Sequence, residues 1–163
     1  MEWFAKHCDN IKAKLVMLQE HFKISSNAIG FFRKIFTQHN IYYKKAERKE
    51  GELRGRGQGG MVQMSCKVTD MSLAPINTTS YRLQVQRLRM SSRTILWFNM
   101  YFPNNGDDTE ELSALLAEIE LILASEGTSS IMVRGDLNYD AARTSATATL
   151  IKAWLEKMEL YSV

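Results

Sequence analysis

Thr94-Ile95-Leu96-Trp97-Phe98-Asn99-Met100-Tyr101-Phe102 is apolar on both faces of an extended chain. That pattern predicts a central strand covered from two sides. Alternation puts Ile95, Trp97, Asn99 and Tyr101 on one face and Leu96, Phe98, Met100 and Phe102 on the other. The Leu/Phe/Met/Phe face must be core. The other turns polar toward its C-terminal end, where Tyr101 nears an opening. Pro103-Asn104-Asn105-Gly106 then stops the strand.

Outward from this strand, helical and extended patterns alternate. Asp107 or Asp108 can cap a helix with Glu110 and Glu111 at its positive end. Leu112, Leu115, Leu116, Ile119, Ile122 and Leu123 form its buried stripe, and Gly127 sits where a left-handed residue is wanted. Ile131-Met132-Val133 predicts a short buried strand that opens into Arg134-Gly135-Asp136-Leu137-Asn138, and Leu150 to Met158 predicts a last helix. Upstream, residues 2–14 predict a helix, Leu15-Val16-Met17-Leu18 a buried strand and Ile41-Tyr42-Tyr43 another. Ser25 or Ser26 caps a helix bearing Ala28, Ile29, Phe32, Ile35 and Phe36. Met61 to Cys66 is strand-like, and residues 69–80, with Pro75, predict a loop. Tyr81, Leu83 and Val85 alternate with Arg82, Gln84 and Gln86 as in a half-buried strand, and a shift of parity at Leu88 predicts a bulge or turn near Arg87. The whole argues an α/β (α+β) single domain.

The composition agrees. The chain has 163 residues, 45% hydrophobic and 24% charged, with nine Gly and two Pro, which excludes disordered and low-complexity classes. No run reaches the ~18 apolar residues of a membrane span, and Met1 to His7 has no signal-peptide layout. Cys8 and Cys66 are too few for a disulfide framework, so the expected compartment is reducing and intracellular, nuclear or cytoplasmic. A net charge of +3 conceals asymmetry: residues 33–93 carry thirteen basic and four acidic side chains, residues 94–163 four basic and eleven acidic. The basic block suits a polyanionic partner, though an uneven solvated surface would give the same count.

Three strand ends carry polar residues suited to chemistry. Glu20, ending Leu18-Gln19-Glu20, can offer oxygen to a hard cation, or be a solvated loop glutamate. Tyr101 can face a cleft, or be a buried tyrosine with a satisfied hydroxyl. Asp136 and Asn138, two apart after a strand, point the same way in extended backbone and could orient a water and hold a phosphoryl oxygen; an Asx turn is the plainer use of the pair. Gly55-x-Gly57-x-x-Gly60 matches a dinucleotide fingerprint in letters only, because no strand precedes it.

Taken in order, Leu18-Gln19-Glu20, Gly59-Gly60-Met61-Val62, Tyr101-Phe102-Pro103-Asn104 and Gly135-Asp136-Leu137-Asn138 resemble the motifs of the endonuclease/exonuclease/phosphatase superfamily. The branch is the exonuclease III and AP-endonuclease-like one, and the wording is closest to endonuclease domains of non-LTR retrotransposons. The resemblance implies a four-layer α/β/β/α sandwich of the DNase-like type. It implies Mg²⁺ (or Mn²⁺) on Glu20, a water positioned or deprotonated by Asp136, and Asn138 orienting that water or holding a phosphate oxygen. Tyr101 would stabilise the transition state, Asn104 would contact the scissile phosphate, and Arg56, with Lys44, Lys45, Arg48, Lys49 and Arg54, would approach the DNA backbone. The implied reaction is in-line phosphodiester hydrolysis.

The family pattern also has an asparagine-bearing first strand and a late Ser-Asp-His motif. This chain's histidines are His7, His21 and His39. Residues 1–163 are therefore expected to be a single incomplete domain lacking those two portions, weakly active or inactive alone. The rival expectations are a catalytically silent remnant that only binds nucleic acid or a partner, and a relative acting on RNA or another phosphate ester.

Overall fold

The computed structural model describes residues 6–7, 14–48, 57–67, 71–103, 109–127, 130–140, 142 and 144–160. Strand β1 (Leu15–Gln19) leads through a 3₁₀ turn (Ser26–Ala28) into helix α1 (Ile29–Ile35), and then come β2 (His39–Lys44) and β3 (Met61–Cys66). Next are β4 (Met71–Ile76), β5 (Leu83–Met90), β6 (Arg93–Tyr101), α2 (Thr109–Glu126), β7 (Ile131–Asp136) and α3 (Ala146–Lys157). The strands make two sheets, ordered β1-β3-β2 and β4-β5-β6-β7. Only β6 and β7 run parallel, as the intervening α2 crossover requires.

Each sheet buries one face under helix. On the first, Val16, Val62 and Met64 pack with Phe32 and Phe36 of the α1 segment. On the second, Leu83, Val85, Leu96, Phe98 and Met100 pack with Leu112, Leu115, Leu116, Ile119, Ile122, Ile151 and Trp154 of α2 and α3. The remaining faces meet each other. Gln63 Nε2 donates to the Trp97 carbonyl (3.3 Å), Gln84 Nε2 to the Tyr42 carbonyl (2.8 Å), and the Tyr42 hydroxyl to the Leu73 carbonyl (2.8 Å). The order of layers is helix, sheet, sheet, helix, as expected, and Thr94–Phe102 forms the covered central strand.

The middle layer corrects three expectations. Gln84 and Gln86 are not on a solvated face but buried between the sheets with Gln63 and Asn99, so β5 is covered on both sides. There is no bulge at Arg87: β5 pairs with β6 without a break from Leu83↔Met100 to Met90↔Arg93. Leu88 shares the face of Gln84 and Gln86 because that layer becomes apolar away from the strand tips. Residues 71–76 are a strand rather than a loop. Pro75 is tolerated there because β4 is an edge strand, with β5 its one neighbour.

Local signals behaved as their chemistry dictates. Ser25 Oγ caps the 3₁₀ turn by accepting from Asn27 N (3.2 Å). Gly127 takes φ +61° after α2. Helix α3 starts earlier than its apolar stripe because Ser145 Oγ accepts from Ala148 N (3.1 Å). The cap at Asp107 or Asp108 and most of the helix expected over 2–14 lie outside the described residues. No described helix is long and apolar enough to cross a membrane.

Two glycines with positive φ separate crowding from strain. A Cβ on Gly135 (φ +149°) would lie 1.9 Å from the Met100 carbonyl oxygen, whereas one on Gly127 would meet nothing within 4 Å. Gly127→Ala should therefore cost about 1 kcal/mol, the left-handed penalty alone. Gly135→Ala should cost about 3 kcal/mol or more, because β6 and β7 must move apart. Urea unfolding of the two variants checks the difference.

Candidate active site at the strand tips

Glutamine 19, the last residue of β1, joins the tips of three strands. Its Nε2 donates to Asn99 Oδ1 (2.8 Å) and to the Met100 carbonyl on β6, while its Oε1 accepts from Asp136 N (3.1 Å) on β7. Gly135 lets the amide in, since a side chain there would come 2.7 Å from Gln19 Nε2. The bridge is long-range, linking residues 80 or more positions apart. It fixes the backbone next to both sequence-predicted carboxylates.

Glu20 follows with φ +53°, a left-handed conformation unusual for glutamate. The turn is held by Gly59-Gly60 at the start of β3: His21 N and Phe22 N donate to the carbonyls of Gly60 (3.4 Å) and Gly59 (3.1 Å). A Cβ on Gly60 would lie 2.4 Å from the His21 ring, so glycine is what allows this packing.

Tyr101 ends β6 opposite Asp136 on β7. Burial raises its hydroxyl pKa above 10, helped by hydrogen bonding to Glu20 and by that carboxylate's charge; Arg82 and a hydrogen bond from Asn138 pull the other way. The phenol therefore stays protonated, with Glu20 and Asn138 near enough to bear on its titration. Asp136 is exposed, and its Oδ1 accepts from Asn138 N (2.9 Å). Asn138 is not extended as the spacing implied. It has φ +45°, and this Asx turn, with Asn138 Nδ2 donating to the Phe102 carbonyl (2.7 Å), brings its amide back to Tyr101.

Four of the six sequence-predicted site residues thus come together: Glu20, Tyr101, Asp136 and Asn138. Asn104 and Arg56 lie outside the described residues. Lys44 does not point at a substrate. Its ammonium donates to the carbonyls of Thr78 (3.2 Å), Ser80 and Leu83 (2.8 Å) and to the Thr78 hydroxyl. Burial pulls it down to about 8, so it keeps its proton at neutral pH. Of the other basic residues, Lys45 and Arg48 are exposed; Lys49 and Arg54 lie outside the described residues.

No protein-family model and no curated protein matches the sequence. Solved structures do. The endonuclease domain of TRAS1, a telomere-specific non-LTR retrotransposon, superposes with a TM-score of 0.65 at 14% identity, covering 96% of this chain and 65% of that one. ANGEL2, a 2′,3′-cyclic phosphatase in complex with adenosine-2′,3′-vanadate, gives 0.60 at 19%, covering 92% and 46%. D. rerio TDP2 complexed with single-strand DNA product gives 0.53 at 13%, covering 99% and 58%. The chain shares the fold of these three structures. At these identities the likeness is one of fold, and the chain spans less than two thirds of each structure's length.

The strand tips that Gln19 joins carry oxygen donors. The residues fit a hard dication: Glu20 and Asp136 are carboxylates, with the amide of Asn138 beside them. No group of three or more His, Cys, Asp or Glu with metal-binding geometry occurs among the described residues. Sequence reading missed Gln19 as a bridge, and it missed Arg82 and Glu111 behind Tyr101.

His21 is no metal ligand. Its ring stacks on Tyr43 at 4.8 Å, Nε2 donates to the Lys44 carbonyl (3.0 Å), and Nδ1 accepts from Lys23 N (3.0 Å). Both nitrogens are satisfied by the neutral ring, and burial lowers its pKa below 6.5. Between that lowered value and 6.5 the unfolded chain binds a proton that the folded chain refuses. Stability should therefore fall as pH drops through 6.5. His21→Phe should flatten that part of the profile, which urea unfolding at neutral and mildly acidic pH would measure.

Proposed function

We propose that this chain is a divalent-metal-dependent phosphodiester hydrolase domain that acts on DNA, of the kind carried by non-LTR retrotransposons. The observation that carries the reading is a grouping at one set of strand tips: Tyr101 lies opposite Asp136, Asp136 accepts from Asn138 N, and Gln19, next to Glu20, ties the tips together. The TRAS1 endonuclease domain and the DNA-product complex of TDP2, with the same fold, support DNA as the substrate, and ANGEL2 makes other phosphate esters the rival class.

Glu20, with Asp136 able to assist, would hold Mg²⁺ or Mn²⁺. When bound, the ion would polarise the phosphoryl oxygen and neutralise charge that develops there. Asp136 accepts a proton from, or orients, the attacking water; one of its oxygens is already engaged by Asn138 N, which fixes the carboxylate plane. Tyr101 keeps its proton and donates to a phosphoryl oxygen as negative charge grows on it. Asn138, anchored on the Phe102 carbonyl through one amide hydrogen, has a second to offer to the same phosphate. Asn104 and Arg56 would contact the scissile phosphate and the flanking backbone. In this reading the 163 residues belong to one such domain.

Turnover by this chain alone is expected to be slow. His21 is tied to Lys44 and Lys23, and His39 lies at the opposite end of β2, paired with Cys66, so neither can serve the pocket as an acid. That placement also favours a second reading, a domain that binds DNA without cutting it.

Nicking of supercoiled plasmid with Mg²⁺ or Mn²⁺ tests the first reading. Slow nicking is expected, falling ~100-fold or more in Asp136→Ala and Glu20→Gln and less in Tyr101→Phe. Nicking that survives Asp136→Ala, or that needs no metal, would sink it. If there is no nicking, the second reading requires duplex binding whose affinity falls with salt by about 0.9 logarithmic units per neutralised phosphate. A salt-independent signal would exclude it.

A further inference from the structure

Behind Tyr101 lies a buried cation that the roles above leave unused. Arg82 is 8% exposed, and its guanidinium carbon sits 4.9 Å from the centre of the Tyr81 ring and 5.1 Å from that of Tyr101. Both distances fall inside the range of cation–π attraction. The plane is set from α2: Arg82 Nε donates to Glu111 Oε1 (2.7 Å), and the Tyr81 hydroxyl donates to the same oxygen (3.0 Å). The backbone closes the unit, because Tyr101 N donates to the Arg82 carbonyl (3.0 Å).

The segment carrying Tyr81 and Arg82 is strapped on two sides. Lys44 of β2 donates to the oxygens of Thr78, Ser80 and Leu83, and Glu118 of α2 accepts from Thr79 N and Ser80 N. Such bracing explains the internal use of Lys44. It also means that Arg82 does not swing out to meet a ligand.

We propose that Arg82 is a positioning residue for Tyr101. Layered between two tyrosine rings and clamped by Glu111, it holds the Tyr101 ring so that the hydroxyl addresses the pocket of Glu20 and Asn138. A planar guanidinium can stack on both rings while keeping an in-plane bond to a carboxylate; an ammonium cannot. The charge on the ring face also strengthens the hydroxyl as a hydrogen-bond donor. The inference rests on reading Tyr101 as the phosphate-facing hydroxyl, but its test does not depend on turnover alone.

Arg82→Met, Arg82→Lys and Glu111→Gln in the full chain, each checked for folding by its amide spectrum, provide that test. In the metal-free and DNA-free protein, nuclear Overhauser contacts from the Tyr101 ring to Asn138 are read, with signals assigned by Tyr101→Phe. They should be lost in Arg82→Met and weakened in Arg82→Lys and Glu111→Gln. In Mg²⁺-dependent cleavage of a fluorescent DNA duplex, kcat should fall ~10- to 100-fold in Arg82→Met with KM little changed, and Arg82→Lys should recover part of the loss. A chain that cuts no DNA defeats the hydrolase reading and leaves the ring contacts to decide the role of Arg82. Ring contacts intact in every folded variant, or kcat unchanged while only thermal stability drops, would reduce Arg82 to a strand–helix tie and overturn the proposal. Should Arg82→Met not fold, the other two variants decide in the same way.

Discussion

One side-chain amide governs the arrangement of the site. Gln19 is the point at which the two sheets are registered at their tips, with a donor spent on β6 and an acceptor on β7. A hydrocarbon contact there would permit sliding, because dispersion and burial have no preferred direction. A glutamine bonded at both ends does not, and an unmet amide at such a place is costly. The position of Glu20, one residue on, inherits that constraint, and so does Asp136, whose own N–H is one of the partners.

The two kinds of interface in the sandwich divide the work. The outer interfaces are apolar, helix against sheet, and supply the stabilisation that comes from removing Leu, Phe, Met and Trp from water. The inner one mixes the amides of Gln63, Gln84, Gln86 and Asn99 with Leu88 and Trp97. Its bonds run from side chain to backbone across the layer, Gln63 to Trp97 and Gln84 to Tyr42. Fold stability and alignment of the sheets are thus carried by different residues, and the site draws on the second set.

Much of this was legible in the sequence, for identifiable reasons. The covered strand around Phe98, the stripe from Leu112 to Ile122 and the stop at Gly127 follow from periodicity and a left-handed cap. Glu20, Tyr101, Asp136 and Asn138 stood out at strand ends, and the family resemblance is what grouped them. Alternation failed where it reports polarity but not what lies opposite. Gln84 and Gln86 looked solvated because a single sequence does not display the second sheet that covers them. Arg82 and Lys44 looked like surface charge for the same reason, although one is stacked between tyrosines and the other is ringed by carbonyls. Pro75 marked a loop only because its edge position depends on pairing with β5. At Asn138 the structure holds the Asx turn, the plainer use of the pair.

The left-handed residues at the strand tips have a bearing on how such a surface is kept. Glu20 and Asn138 hold backbone shapes that their side chains would not choose alone; beside them the carbonyls of Gly59 and Gly60 hold the turn after Glu20, and bare Gly135 admits the Gln19 amide. The pocket is therefore shaped before anything enters it, by main chain more than by movable side groups. Exchanges on the outer helices can drift without altering what the pocket offers, whereas a single methyl group at one of those three bare positions would deform it from within.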